Sequence, residues 1–448
     1  MNLFNPTLAV QLVDKGDIFF KNYNAFGRSF LDVLHLIFNS LFYVFLVVMA
    51  VVSFLYLITT LYVIIRKKEQ YVELPVDVKS LPFVTVQIPT RNELAAIRCA
   101  ELCLQFDYPK DKYEILIGDD SSQADVSEEI AAFASKHHET VRVLKRKSNE
   151  GYKAGNLNNM LPHSKGEYLV LFDSDFTPSA DFLKRVIAPM LHDRTVAGVQ
   201  GRWKFLNAQQ NMVSLLGAAI VASVHHVALP FVNKRRKISI LCGSAEAVRK
   251  DVLVKLGGWQ HGSMTEDVEY SLRMLKHGYK IQYLPSLECG SEVPYTPTDL
   301  YRQQMRWAHG VIGAARDHVK EMFSSRIISA EDKFLVSYVF SGYLFSVAFF
   351  AVLVFGILSI ITHNPEPINF AKFFAETGRN ILLTSGLLVT GGYAMAKSTS
   401  MKKIVPMILS SLSYGLIVTY YINVGIFRVL TGKPMQWFLL NKQGNQRT

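Results

Sequence analysis

Cysteine is scarce in this chain. Cys99, Cys103, Cys242 and Cys289 show no paired metal-binding spacing, so no cysteine metal cluster is indicated and reduced, buried thiols are expected in the cytosol. Internal repeats and low-complexity tracts are missing. Acidic residues are outnumbered, 37 against 48 basic, leaving a formal charge of +11. That excess suits an anionic membrane surface or phosphorylated substrates, though a solvated basic membrane protein shows it too. Nucleic acid is not an expected partner. Charge is absent altogether from Leu41 to Ile65, Phe334 to Ile361, Ile381 to Ala396 and Ile404 to Phe427. The first two runs exceed the roughly 20 residues that a bilayer-spanning helix needs. Ile381 to Ala396 is short and carries Gly386, Gly391 and Gly392, and the fourth run is dotted with serines, Pro406 and Asn423. The first run is too long and too late for a signal peptide, and no small-residue cleavage site follows it, so it is expected to stay as an anchor. Arg66-Lys67-Lys68 after it, and Lys397, Lys402 and Lys403 between the last two runs, place the large polar middle on the cytosolic side.

The organisation expected is an amphipathic segment at 1–38, a membrane helix at 39–66, a linker at 67–82 and a catalytic α/β domain at 83–293. An interface helix region at 294–332, a membrane region at 333–430 and a cytosolic tail at 431–448 follow. Within the domain, Phe83 to Ile88 reads as a strand ending at Arg91-Asn92-Glu93, and Tyr113 to Gly118 as one ending at Asp119-Asp120-Ser121. Glu128 to Lys136 reads as a helix and Val141 to Leu144 as a third strand. Tyr168 to Phe172, apolar or aromatic throughout, is a strand buried on both faces that ends at Asp173-Ser174-Asp175. Strands alternating with helices predict a mostly parallel sheet, in which ligands bind outside the carboxyl ends of the strands. Alone, Asp173 and Asp175 are equally well explained by a helix cap. Three polar strand ends favour a site, and two carboxylates suffice for Mg2+ or Mn2+ when phosphates and water complete its shell. Phe205 to Asn233 lacks charge but contains Pro230 and His225-His226, so it is expected to be buried in the domain or to lie at the membrane interface.

Ile238 to Leu241 reads as a further strand leading into Cys242-Gly243-Ser244, whose small residues would let an extended ligand approach the backbone. Thr265-Glu266-Asp267 opens a helix with Val268, Leu272 and Leu275 on one face and Thr265 as its N-cap. Acids there commonly complement the helix dipole; the functional reading is a general base at Asp267. The helix terminus would lower its pKa and Glu266 would raise it. Gln303, Arg306 and Trp307 share one helix face, a set that suits pyrophosphate and a sugar ring, or an interfacial Trp with a snorkelling Arg.

Asp119-Asp120, Asp173-Ser174-Asp175, Thr265-Glu266-Asp267 and Gln303-x-x-Arg306-Trp307, in this order between membrane segments, resemble the processive family 2 glycosyltransferases, which include cellulose, hyaluronan and mannan synthases. Lys153-Ala154-Gly155-Asn156-Leu157-Asn158 and Cys242-Gly243-Ser244 are similar to the cellulose synthase branch. The resemblance implies a GT-A type domain inserted between transmembrane helices. In it Asp119 and Lys153 would contact the nucleotide, Asp173 the nucleotide-metal complex and Asp175 the cation, Mg2+ or Mn2+. Asp267 would deprotonate the acceptor hydroxyl, with inversion at the anomeric carbon. Gln303, Arg306 and Trp307, with Cys242, Gly243 and Ser244, would hold the diphosphate and the acceptor. The implied partners are a nucleotide sugar (UDP-glucose first, GDP-mannose second), a glycan or lipid acceptor and membrane lipids. The product would be a β-linked polysaccharide; a non-processive glycolipid synthase of the ceramide glucosyltransferase type is the alternative.

Two features depart from that family. Arg91 stands where a Tyr usually precedes Asn-Glu, so no stacking role carries over to it. Fewer spans follow the domain than an export channel uses, which brings in a homo-oligomer or an accessory export subunit as a partner. Trp437 to Lys442 resembles the family's gating loop. Because such a loop must reach the cytosolic site, Ile404 to Phe427 is expected at the interface or re-entrant.

Overall fold

The structure, a computed structural model, describes residues 6–65, 81–236, 238–363 and 369–441. A long helix, α1 (Pro6–Ile65), leads into alternating strands and helices: β1 (Val84–Thr90), α2 (Ala95–Leu104), β2 (Tyr113–Asp119), α3 (Ala124–Lys136), β3 (Val141–Lys145), α4 (Tyr152–Met160) and β4 (Tyr168–Leu171). Next come α5 (Phe182–His192), β5 (Val196–Phe205), α6 (Met212–Ser223), α7 (Leu229–Arg236), β6 (Glu246–Arg249), α8 (Lys250–Lys255), α9 (Glu266–Lys276) and β7 (Lys280–Ser291). The helices α10 (Pro297–Ser324), α11 (Ala330–Thr362), α12 (Phe370–Thr384), α13 (Gly386–Ser398) and α14 (Ile404–Leu430) complete the order. The chain forms two compact units, Met1–Phe54 with Leu344–Ser385, and Leu55–Tyr343 with Gly386–Thr448.

In the first unit the apolar halves of α1 and α11 pack through Phe38 and Phe45 on Phe355, and His35 Nδ1 lies 2.9 Å from the Ser359 carbonyl. The second unit is built on a seven-stranded sheet in the order β3-β2-β1-β4-β6-β5-β7. β1 pairs in parallel with β2 and β4, β2 with β3, and β5 with β7, whereas β6 runs antiparallel to both β4 and β5. Successive strand residues face opposite sides, so Val170 and Phe172 join the core under α2, α3 and α5, while Leu169 and Leu171 join that under α4, α8 and α9. Cys99, Cys103 and Cys289 are free thiols buried in the first of these cores.

The expected strand at Ile238 to Leu241 does not form. Its backbone donors are taken by side chains: the Leu241 N–H donates to Ser271 Oγ at 2.9 Å and the Cys242 N–H to Gln200 Oε1 at 2.7 Å. The strand begins only at Glu246, beyond the Cys242-Gly243-Ser244 turn. Ile381 to Ala396 is not one helix either, because α12 ends at Thr384 and α13 starts at Gly386, with Ala394 and Met395 buried against the cluster that holds Ala218 and Ala222 of α6.

Among the described residues four stretches are long and apolar enough to cross a membrane: Gly27–Ile65, Met212–Arg236, Ala330–Thr362 and Met401–Leu430. Met212–Arg236 is largely buried inside the protein, where a π-helical segment at Val224–Ala228 continues α6 into α7. α14 lies along α10 so closely that a Cβ on Gly425 would come 2.3 Å from the Met305 carbonyl oxygen. Arg66-Lys67-Lys68 and the expected linker at 67–82, apart from Leu81 and Pro82, lie outside the described residues.

Candidate functional site

The carboxyl ends of β1, β2 and β4 meet at one edge of the sheet, with Thr90 in register with Asp119. Asp119 is fully buried, and its carboxylate accepts the Ser121 N–H at 2.8 Å and the Ser127 hydroxyl at the start of α3. Asp120 takes the Arg146 guanidinium on both oxygens, Nε to Oδ1 at 2.7 Å. Ser174 bonds Glu93, and Asp175, buried, accepts the Glu292 N–H at 3.1 Å. Asp173 is more open, with a third of its side chain exposed.

Lys153 Nζ is the hub of the site. It lies 2.7 Å from Asp173 Oδ1 and 3.2 Å from Glu266 Oε1, and donates to the Gly243 carbonyl at 2.5 Å. Burial pulls its pKa down, but Asp173 and Glu266 overcome this and hold the ammonium above its ordinary value. The Cys242-Gly243-Ser244 turn is thereby tied to the metal-type carboxylates, and Ser244 Oγ also accepts the Asp173 N–H at 2.9 Å.

Asp267, buried in the first turn of α9, has its pKa pushed up to about 7, first by burial and then by Glu266, while Lys153 and the helix-terminal N–H groups pull the other way. Desolvation and the neighbouring acid therefore outweigh the helix terminus. Thr265 sits at the N-cap position without capping: its hydroxyl is buried with no partner, and its side chain fills the groove left by Gly310 of α10, where a Cβ would come within 2.6 Å.

Arg306 is half-buried beside these acids. Its Nη1 donates to the Met264 carbonyl at 3.1 Å, its guanidinium lies 4.2 Å from the centre of the Trp437 ring, and burial lowers its pKa. Trp437 in turn stacks on Tyr152 at 5.9 Å between ring centres, and Asn441 Nδ2 donates to Asp299 Oδ2 at 2.7 Å, so the tail runs back across the start of α10 to the site. Lys442 lies outside the described residues. Gln303 is half-buried on the same helix, and Trp307 turns toward the apolar cluster of Phe205, Leu215 and Val293.

Four groups here escaped the sequence reading as site members. Tyr152, left-handed at φ +53°, supports Trp437. Glu266 pairs with Lys153, and Gln200 and Glu246 fasten the turn. The one sequence signal was for Gln200, a polar residue within the apolar stretch of β5, whereas Glu246 opens β6 directly after the turn. Among the described residues no three His, Cys, Asp or Glu side chains converge as a metal cluster. Asp173 and Asp175 offer a hard-oxygen pair that fits Mg2+ or Mn2+ once phosphate oxygens complete its shell.

A mixed sheet covered by helices on both faces, with acids at the strand ends, defines a GT-A-like domain. The sequence model described as "Glycosyltransferase like family 2" matches residues 82–310, just over half of the chain, and the chain belongs to that family. It is 27% identical over 374 residues to glucomannan 4-beta-mannosyltransferase 7 of Arabidopsis thaliana, covering 82% of this chain and 66% of that protein. Over 236 residues it is 28% identical to the probable glycosyltransferase YdaM of Bacillus subtilis (strain 168), covering 52% of this chain and 56% of that one. The chain thus spans between half and two thirds of the length of these relatives. Its fold matches the solved mannosyltransferase PcManGT from Pyrobaculum calidifontis, in complex with GDP-Man and Mn2+, with a TM-score of 0.56 and 18% identity over 86% of this chain and 99% of that one.

Proposed function

We propose that this protein is an inverting, metal-dependent hexosyltransferase that moves mannose from GDP-mannose to a β-linked glycan at the cytosolic membrane face. The observation that carries the reading is the buried Asp267, held near neutrality beside the Lys153–Asp173 pair. The mannosyltransferase names of the relatives support mannose over the glucose that the family resemblance put first. We place 83–293 in the cytosol between the anchor at 39–66 and the membrane region at 333–430.

Asp173 and Asp175 would hold the cation, whose charge offsets that developing on the leaving diphosphate. Lys153 and Arg306 would add positive charge beside Asp173, and the buried Asp119 would contact the nucleotide. Asp267 accepts the proton of the acceptor hydroxyl as its oxygen bonds to the anomeric carbon. The bond from that carbon to the diphosphate breaks on the opposite face, and the electron pair leaves with the diphosphate. Gln303, Trp307 and the Cys242-Gly243-Ser244 turn line the acceptor side, and Trp437 covers Arg306. A single-sugar glycolipid product is the second reading.

Purified protein incubated with labelled GDP-mannose or UDP-glucose and a glycan acceptor tests this. Mannose transfer that needs Mg2+ or Mn2+, stops with EDTA and falls about 10²- to 10⁴-fold in Asp267→Asn is expected. Glucose transfer alone would overturn the donor, activity in EDTA the cation, and a one-sugar lipid product the polymer.

A further inference from the structure

Glu246 stands at the centre of the sheet, in register with Leu171 on one side and Gln200 on the other, and is fully buried. Strand pairing on both edges fixes β6 without its side chain, and an apolar residue would suit this position better. The carboxyl instead reaches the turn before the strand. Oε2 accepts the Cys242 N–H at 3.1 Å and the Gly243 N–H at 2.8 Å, while Oε1 is buried without a partner. Among the described residues no cation forms an ion pair with it. Lys153 already serves Asp173 and Glu266. Burial and then Asp267 push its pKa far up, while Lys153 and the Gly243 N–H pull it down, and the part Glu246 plays here is that of a hydrogen-bond acceptor.

The turn it holds is strained and crowded. Gly243 has φ +86° and Ala245, which has a Cβ, has φ +52°. A Cβ on Gly243 would sit 3.2 Å from Asp267 Oδ2 and 3.3 Å from Lys153 Nζ, so the bare glycine backbone spaces these two groups. Beyond it, the Ser244 carbonyl accepts from Gln200 Nε2 at 2.9 Å and Trp203 Nε1 at 3.0 Å.

We propose that Glu246 is a positioning residue for sugar transfer, fixing the Cys242–Gly243 turn so that Lys153 and Asp267 keep the separation that transfer requires. The proposal rests on the reading of Asp267 as the base. It assigns Glu246 no contact with donor or acceptor and no share in proton transfer.

Full-length Glu246→Ala and Glu246→Gln proteins separate this role from a general effect on folding, through kcat and KM for donor and acceptor and the ratio of donor hydrolysis to transfer. In Glu246→Ala the Gly243 N–H loses its acceptor and the Cys242 N–H keeps only Gln200 Oε1, and transfer kcat is expected to fall about 100-fold, the scale of a misplacement of about 1 Å. Donor KM is expected to hold, and hydrolysis to gain on transfer as water replaces a misaligned acceptor. Glu246→Gln keeps a neutral carbonyl acceptor in the same place and is expected to restore most of the lost transfer. Wild-type kinetics in Glu246→Ala would overturn the proposal, as would a parallel rise of donor KM or an equal loss in Glu246→Gln. Asp267→Asn retains the turn, so full activity in that variant would reject the base itself, and the Glu246 proposal with it.

Discussion

Asp267 titrates where enzymes work, since its pKa is pushed up to about 7 against an ordinary 3.8 by burial and then by Glu266. A base must be deprotonated to act, so transfer is expected to fall as pH drops below about 7. Glu266→Gln removes the adjacent negative charge and is expected to move that acid limb to lower pH in a kcat-pH profile; a limb that stays in place would refute the coupling. The same shift links to stability. With the folded value above the unfolded one, Asp267 contributes stability that is fully present below 3.8 and is lost as pH rises through about 7. Melting curves of ligand-free wild type and Asp267→Asn across that window are expected to differ in slope accordingly. The acid itself was legible in Thr265-Glu266-Asp267, but the direction of its shift was not, because two local effects of opposite sign are decided by burial, which only the packing of α9 under α10 supplies.

At the scale of elements, the contact between α10 and α14 decides where the site closes. Gly425→Val would drive a side chain into the Met305 carbonyl and is expected to cost about 1–3 kcal/mol of stability by overpacking. It is also expected to raise donor KM, because the shift carries Trp437 away from Arg306. A stability loss with unchanged KM would show that the tail is not held by this contact. Parallel strands ending in acids could be read from β1, β2 and β4 because hydrophobic runs and polar ends lie together in the sequence. The reversed β6 could not, since Ile238 to Leu241 has strand composition and only side-chain acceptors on Gln200 and Ser271 keep it irregular. The N-cap expected of Thr265 failed for a related reason, as Gly310, far along the chain, offered its side chain a groove instead.

For the whole molecule, Asn441 bonded to Asp299 and Trp437 stacked on Tyr152 hold the start of the tail against α10 and α4. A protease site inserted after Asn441 is expected to be cut only from the compartment that also reaches an epitope in the catalytic domain. Cutting from the opposite compartment would contradict the fold around α14. Sequence alone pointed to that return through Trp437, though the course of α14 along α10 needed the glycine contact to be seen.

Because the aromatic cover of Arg306 comes from a segment that follows α14, the ribosome must complete α14 before that arginine receives its cover. A chain stalled earlier would present the acids and the base yet lack this last piece. Translation order thus places the Trp437 cover among the last contacts of the site to form.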